Sequence, residues 1–124
     1  MKNAKSELEA ANAVVPKISV EAGIAKHNDG KSVFIDVRDG LEINQSGTIA
    51  GALRIPRGFI EFAADPETDF HNVALQKDAD IVLVCGAGGM AALTGKTLHE
   101  MGYQNISNVG GFSDWKSADG PVES

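Results

Sequence analysis

The chain has one cysteine, few aromatic residues and no cluster of basic residues. Aromatic residues make up 6% of the 124 positions, and the formal net charge is −6. A single cysteine excludes an internal disulfide and a zinc site built from several cysteines. The acidic balance argues against nucleic-acid binding, which needs concentrated positive charge. The three histidines lie far apart in sequence, so we expect no metal and no cofactor.

The chain also lacks a long apolar segment. No run approaches the roughly 20 residues that cross a membrane. Residues 1–15 mix polar residues with alanine and contain no apolar signal-peptide core. We therefore expect no membrane association and a cytoplasmic location, where a lone thiol stays reduced. A hydrophobic fraction of 43% is that of an ordinary globular domain.

Glycines and prolines divide the sequence into short helices and strands. Apolar, mostly β-branched segments predict strands at 17–18, 33–37, 52–55, 80–84 and 105–109. Helical periodicity, capping residues and stop signals predict helices at 5–14, 20–28, 39–45, 58–64, 91–101 and 110–115. This alternation predicts an α/β fold with a central five-stranded parallel sheet and helices on both faces. We assign 1–15 to an N-terminal helical extension and 16–124 to the sheet domain.

The lone cysteine begins the sequence Cys-Gly-Ala-Gly-Gly-Met-Ala, residues 85–91, directly after the strand at 80–84. Ligands of open α/β sheets bind at the carboxyl ends of the strands. Glycines leave backbone N–H groups uncovered, and the following helix N-terminus adds more, so the loop can stabilise an anion such as the Cys85 thiolate. Free cysteine is also among the most buried residue types. The loop alone leaves a nucleophile and a packing residue both open.

The motifs that surround this loop resemble those of the rhodanese (sulfurtransferase) domain. Their combined order covers about residues 17–120, nearly the whole chain. The motifs are Asp36-Val37-Arg38 with Glu42, Gly47-Thr48-Ile49-Ala50-Gly51-Ala52 followed by Ile55-Pro56, the Cys85 loop, and Gly110-Gly111-Phe112-Ser113-Asp114-Trp115.

This resemblance implies sulfane-sulfur transfer through a persulfide on Cys85. A donor such as thiosulfate would load the cysteine, and cyanide or a thiol would collect the sulfur. The loop residues Gly86, Ala87, Gly88, Gly89 and Met90 would bind the substrate, and the acceptor must come from outside the chain. Two alternatives remain: a sulfur carrier that exchanges sulfur with a relay protein, and a non-catalytic module for protein interaction or redox sensing.

The sequence departs from the resembled family at two positions. Met90 stands where many members have a basic residue, which predicts weak use of thiosulfate and better use of a persulfide. Thr48 replaces a common histidine, a change expected to affect local packing only. Related phosphatase loops have an arginine six residues after the cysteine, where this chain has Ala91, so phosphatase activity is not expected.

Residues outside the loop receive mostly structural roles. Arg57 follows the strand at 52–55 and could supply the positive charge that the loop lacks, although a solvated arginine or a pair with Glu61 is slightly favoured. Asp36 and Arg38 are expected to form a structural ion pair. Trp115 is expected to pack the last helix onto the sheet, with the mouth of the site as a second position. The remaining structural assignments are Glu42, Phe112 and a surface His99.

Overall fold

Four parallel strands form the central sheet. In the computed structural model, which describes residues 1–124, these strands are β1 (Ser32–Asp36), β3 (Leu53–Arg54), β4 (Asp80–Cys85) and β5 (Asn105–Gly111). Their order across the sheet is β3-β1-β4-β5. Residues 81–85 of β4 are buried, as expected for a central strand covered on both faces.

Six helices surround this sheet, and none has the length and apolar character needed to cross a bilayer. Several of their ends follow from local sequence: Asn3 and Ser19 cap two of the N-termini, and Gly30 ends one helix in the left-handed conformation. The helices are α1 (Ala4–Val14), α2 (Val20–Asp29), α3 (Gly40–Ser46), α4 (Ile60–Ala64), α5 (Gly89–Glu100) and α6 (Phe112–Ser117), with a 3₁₀ turn at Arg57–Phe59 before α4.

The predicted fifth strand of the sheet is wrong. The segment expected at 17–18 forms one isolated parallel bridge between Lys17 and Asn108. Asn108 N–H donates to the Pro16 carbonyl, and Ile18 N–H donates to the Asn108 carbonyl, both at 2.9 Å. Pairing ends there because Ser19 already caps α2 and the chain turns away from the sheet edge.

The sequence did not predict a second, two-stranded sheet. Strand β2 (Thr48–Ile49) pairs antiparallel with β6 (Val122–Glu123), which ties the C-terminal residues to the segment after α3. Each strand has only two residues, too few for a period to be recognised in sequence.

Hydrophobic clusters lie on both faces of the central sheet. One contains Ile35 and Leu83 with α5 residue Leu98, and the other contains Phe34 and Val82 with Trp115 of α6. The N-terminal helix joins the first cluster through Val15, which approaches α5 where Gly95 has no side chain. The division between an extension at 1–15 and a domain at 16–124 stays a prediction.

Tyr103 connects the long segment between α4 and β4 to the core. Its ring is buried, and its hydroxyl donates to the carbonyl of Ala64 at 2.6 Å, with the carbonyl of Leu75 at 3.2 Å. Burial, together with the charge of Asp65, raises the pKa of this hydroxyl above its usual value. One side chain therefore holds both ends of residues 64–75.

Candidate active site

Cys85 is the last residue of β4, and its thiol lies at the N-terminus of α5. The residue is 1% exposed. Its Sγ accepts hydrogen bonds from the backbone N–H groups of Gly88, at 3.0 Å, and Ala91, at 3.3 Å. Backbone dipoles at a helix N-terminus favour negative charge, so this position suits an anionic sulfur.

Two positions require glycine for different reasons, one in the loop and one in the neighbouring β5. Gly88, the N-cap of α5, has φ +100°, a left-handed conformation that side chains rarely adopt. Gly111, at the end of the neighbouring β5, lies so close that an added Cβ would overlap the carbonyl oxygen of Gly86. Strand β5 thus packs directly against the loop backbone.

Asn108 holds the loop to β5, and sequence analysis missed it. Its side chain is almost fully buried; Nδ2 donates to the Gly88 carbonyl at 2.9 Å, and Oδ1 accepts from Gly110 N–H at 2.8 Å. The residue lies where the register between β4 and β5 shifts. No local pattern marks this residue, because β5 contains two other polar residues, Asn105 and Ser107.

The loop has no charged side chain, but a carboxylate of α3, that of Glu42, lies beside it. A Cβ added to Gly86 would lie 3.6 Å from Glu42 Oε2. Met90 is 38% exposed, so its thioether is accessible at the start of α5. Glu42 also pairs with Arg38 Nη1 at 3.6 Å. The loop itself therefore presents backbone amides to an anion, and the carboxylate beside Gly86 is ion-paired with Arg38.

Asp36 and Arg38 form the expected ion pair at the end of β1, and both are buried. Arg38 Nη2 lies 2.7 Å from Asp36 Oδ2, and this hydrogen bonding raises the pKa of Arg38 despite its burial. The guanidinium also donates to Ser46 Oγ and the Gly47 carbonyl, both at 2.9 Å. Its position 4.8 Å above the Phe112 ring adds a cation–π contact.

Thr48 completes this buried network. It is fully buried, and its hydroxyl donates to Asp36 Oδ2 at 2.7 Å. The expectation that this position affects local packing only is therefore wrong, because the threonine hydroxyl supplies a hydrogen bond to a buried carboxylate.

Arg57 forms its ion pair with Glu61 and not with a residue of the loop. Its Nη1 is 3.7 Å from Glu61 Oε2, and its side chain lines a cavity of about 410 Å³ with residues of α1 and α5, but with none of residues 85–91. Trp115 is fully buried and donates to the Pro121 carbonyl at 2.9 Å, so it packs α6 and does not border the site. His99 is exposed, as predicted.

A second cavity, of about 310 Å³, adjoins the loop on the side of α1. Three loop residues, Ala87, Gly88 and Gly89, form one wall. Leu8 and Lys17 contribute apolar surface and an ammonium group. The volume lies at the lower end of the range for small-ligand pockets.

One protein family and several solved structures resemble this chain. The rhodanese-like domain family matches residues 19–118. A Rhodopseudomonas palustris protein of unknown function, described as a possible tyrosine phosphatase, is 33% identical with a TM-score of 0.92, over 99% of this chain and 96% of that one. The polysulfide-sulfur transferase homodimer of Wolinella succinogenes is 27% identical with a TM-score of 0.75, over 96% and 85%.

A curated relative is the candidate sulfur carrier protein YrkF of Bacillus subtilis, which is 28% identical over 103 residues. The match includes 82% of this chain and 51% of that protein, so the chain spans about half the length of this relative.

Proposed function

This chain belongs to the rhodanese-like domain family, and from that premise we propose that it transfers sulfane sulfur through a persulfide on Cys85. The observation that carries the proposal is the pair of backbone N–H groups, from Gly88 and Ala91, that donate to Cys85 Sγ. They keep the sulfur at the end of a parallel strand and the start of α5, where an anionic nucleophile is stabilised.

The reaction has two displacements. The Cys85 thiolate attacks the outer sulfur of a donor persulfide, R–S–S⁻; the new Cys85–S–S⁻ forms and R–S⁻ leaves. With thiosulfate as donor, the leaving group is sulfite. An acceptor thiolate or cyanide then attacks the outer sulfur, and the Cys85 thiolate leaves. The amides of residues 86–90, with Gly88 and Ala91 already directed at Sγ, hold the charged terminal sulfur.

A persulfide is the favoured donor within this proposal. Thiosulfate is a dianion, whereas the loop offers no cation and Glu42 lies beside Gly86. The exposed Met90 instead presents a polarizable, apolar surface to a sulfur-bearing donor. These features and the named function of the Bacillus subtilis relative favour a second candidate, a sulfur carrier that exchanges sulfur with a partner protein.

A phosphatase role, suggested by the description of the Rhodopseudomonas palustris protein, has no support in the loop. The position of the phosphate-binding arginine is Ala91, which is buried and donates its N–H to Cys85 Sγ. A reduced Cys85 is needed for the first displacement, which agrees with the predicted cytoplasmic location; that location stays a prediction.

Intact-mass measurement tests the proposal. The reduced protein is incubated with cysteine persulfide and, separately, with thiosulfate, then mixed with cyanide or a thiol. We expect a gain of one sulfur from cysteine persulfide, slower gain from thiosulfate, and loss of that sulfur to the acceptor. Cys85→Ser should gain none.

The double variant Cys85→Ser with His99→Cys is the matched control, because it moves the only thiol to an exposed position outside the loop. Loading at least tenfold slower than that of Cys85 would attribute the reactivity to the loop. Equal loading at both positions, or no loading of Cys85 by either donor, would contradict the proposal. Hydrolysis of p-nitrophenyl phosphate would support the phosphatase instead.

A further inference from the structure

Three of the five phenylalanines lie together on the surface. Phe59, Phe62 and Phe70 are 38%, 50% and 61% exposed, whereas Phe34 and Phe112 are buried. The ring centroids of Phe59 lie 5.5 Å from those of both Phe62 and Phe70, and the third separation is 6.4 Å. We call these three residues the phenylalanine patch. Single exposed apolar residues are common, but a contiguous aromatic cluster marks an interaction site.

The patch lies at the sheet edge that also carries Cys85. Phe59 is the last residue of the 3₁₀ turn, which is separated from β3 by two residues. A 3.0 Å hydrogen bond from Arg57 N–H to the Val37 carbonyl fixes this turn beside the end of β1. Strands β3 and β4 are separated only by β1, so their carboxyl ends lie about 10 Å apart at ordinary strand spacing. A protein bound at the patch can therefore reach the Cys85 loop.

The charges around the patch indicate which kind of partner it can bind. Residues 58–76 contain four carboxylates, Glu61, Asp65, Glu67 and Asp69, and no lysine or arginine. Arg57 pairs with Glu61, and no lysine or arginine forms an ion pair with the other three. A two-fold dimer through this face would bring the same acidic segment against itself, and an anionic membrane would be repelled in the same way.

We propose that the phenylalanine patch and its acidic rim dock a protein partner that exchanges sulfur with Cys85, through a partner surface of apolar side chains flanked by lysine and arginine. The inference rests on the proposed function, because it names the partner for that reaction. Aromatic side chains supply the apolar contact, and the rim selects for basic partners and accelerates their encounter.

Two synthetic peptides probe the surface. Each has one cysteine among leucines; one is flanked by lysines, the other by glutamates. Binding is measured by fluorescence anisotropy with the cysteine replaced by serine, and sulfur transfer by mass with the cysteine as its persulfide. We expect the lysine peptide to bind and load Cys85 at least about tenfold better at low salt, and the preference to shrink as salt screens the rim.

Two double variants of the protein locate the effect. Phe62→Ser with Phe70→Ser should weaken binding of the lysine peptide at least about tenfold. Glu67→Lys with Asp69→Lys should reverse the preference between the peptides. Val14→Ser removes an apolar side chain of α1 that is 42% exposed and should change neither result. Thermal melting of each variant shows whether the fold is retained, and loading by free cysteine persulfide should stay as in the unaltered protein.

The outcomes separate this inference from the proposed function. If Cys85 gains sulfur from no donor, the proposed reaction fails, while peptide binding still tests the surface. An unchanged peptide preference in both double variants would overturn the docking proposal. So would a dimer, seen by sedimentation, or binding to anionic vesicles, if either is lost when Phe62 and Phe70 are replaced.

Discussion

Two regions at the carboxyl edge of the sheet use their polar groups in opposite ways. At the end of β1, Asp36, Arg38 and Thr48 form a buried network in which side chains satisfy one another. At the end of β4, the Cys85 loop has no charged side chain and offers backbone N–H groups to one sulfur. The first region uses its polar groups internally, because unpaired buried charge is costly. The second directs its backbone N–H groups at the sulfur of Cys85, the atom that would carry the transferred sulfur in the proposed reaction.

Removing the cation from the buried network should have the largest effect. Arg38→Met leaves the fully buried Asp36 carboxylate without its main partner, and we expect a loss of about 3–5 kcal/mol in the free energy of unfolding. Urea unfolding measures the loss. Arg57→Met, which breaks a surface pair with Glu61, should cost less than about 1 kcal/mol. Equal costs would mean that burial does not distinguish the two pairs.

Removing the smallest member of the network tests whether Thr48 acts through its hydroxyl. Thr48→Val keeps the shape but loses the hydrogen bond to Asp36, at an expected cost of about 1.5–3 kcal/mol in unfolding free energy. Thr48→Ser keeps the hydroxyl and should cost less. A serine variant less stable than the valine variant would show that packing, not the hydrogen bond, matters at this position.

Adding a methyl group where β5 contacts the cysteine loop should lower the free energy of unfolding. The added methyl of Gly111→Ala overlaps the Gly86 carbonyl, so we expect a loss of about 1–3 kcal/mol in unfolding stability and slower sulfur loading. In Gly86→Ala the new methyl meets Glu42 at an ordinary 3.6 Å, and stability should change by less than about 0.5 kcal/mol. Urea unfolding compares the pair, and equal losses would contradict the close contact with β5.

Adding charge to the loop would reduce the difference between the two regions. Met90→Arg supplies the cation that the loop lacks, and we expect thiosulfate to load Cys85 about tenfold faster, a gain that salt should weaken. Met90→Gln, which is polar but uncharged, is the control and should not reproduce the gain. A thiosulfate rate unchanged by arginine would remove the reason for preferring a persulfide donor.

A third ion pair, half exposed at the start of β4, should have the smallest effect. Burial tends to raise the pKa of Asp80, but hydrogen bonds from Lys26 and Ser32 lower it below the usual value. Its stabilisation is therefore present above the ordinary aspartate pKa of about 4 and is lost as pH falls through the lowered value. Urea unfolding is measured at several pH values from 6 to 2.5. The free energy of unfolding should fall slightly less with decreasing pH in Asp80→Asn than in the unaltered protein. An unchanged pH dependence of the unfolding free energy would contradict the lowered pKa of Asp80.

The contrast between the two regions was partly readable in sequence. The run at 80–84 predicted β4 and placed Cys85 at its carboxyl end, because buried strands are continuous and apolar. Helix α5 begins at Gly89, not at 91, because the loop conformation and the amides directed at Sγ outweigh the low helix propensity of glycine. The role of Asn108 depends on contacts with residues 20 positions away, which no local pattern encodes.

The limits of prediction were similar elsewhere. The Asp36–Arg38 pair was predictable because the two residues are two positions apart, at the end of a predicted strand. The hydrogen bond from Thr48 was not, since β2 is fixed by pairing with residues more than 70 positions away. The phenylalanine patch could not be predicted either. Its residues are spread over 59–70, and exposure is a property of the fold.

The Tyr103 hydroxyl has a consequence for how the phenylalanine patch would bind. By linking the carbonyls of Ala64 and Leu75, it closes the loop that carries Phe70 before any partner arrives. Closing a loop lowers its conformational entropy, and in this loop the entropy is lost during folding and not during binding. A preordered surface loses less entropy on association. The ordering needed for a docked complex would therefore fall mainly on the partner.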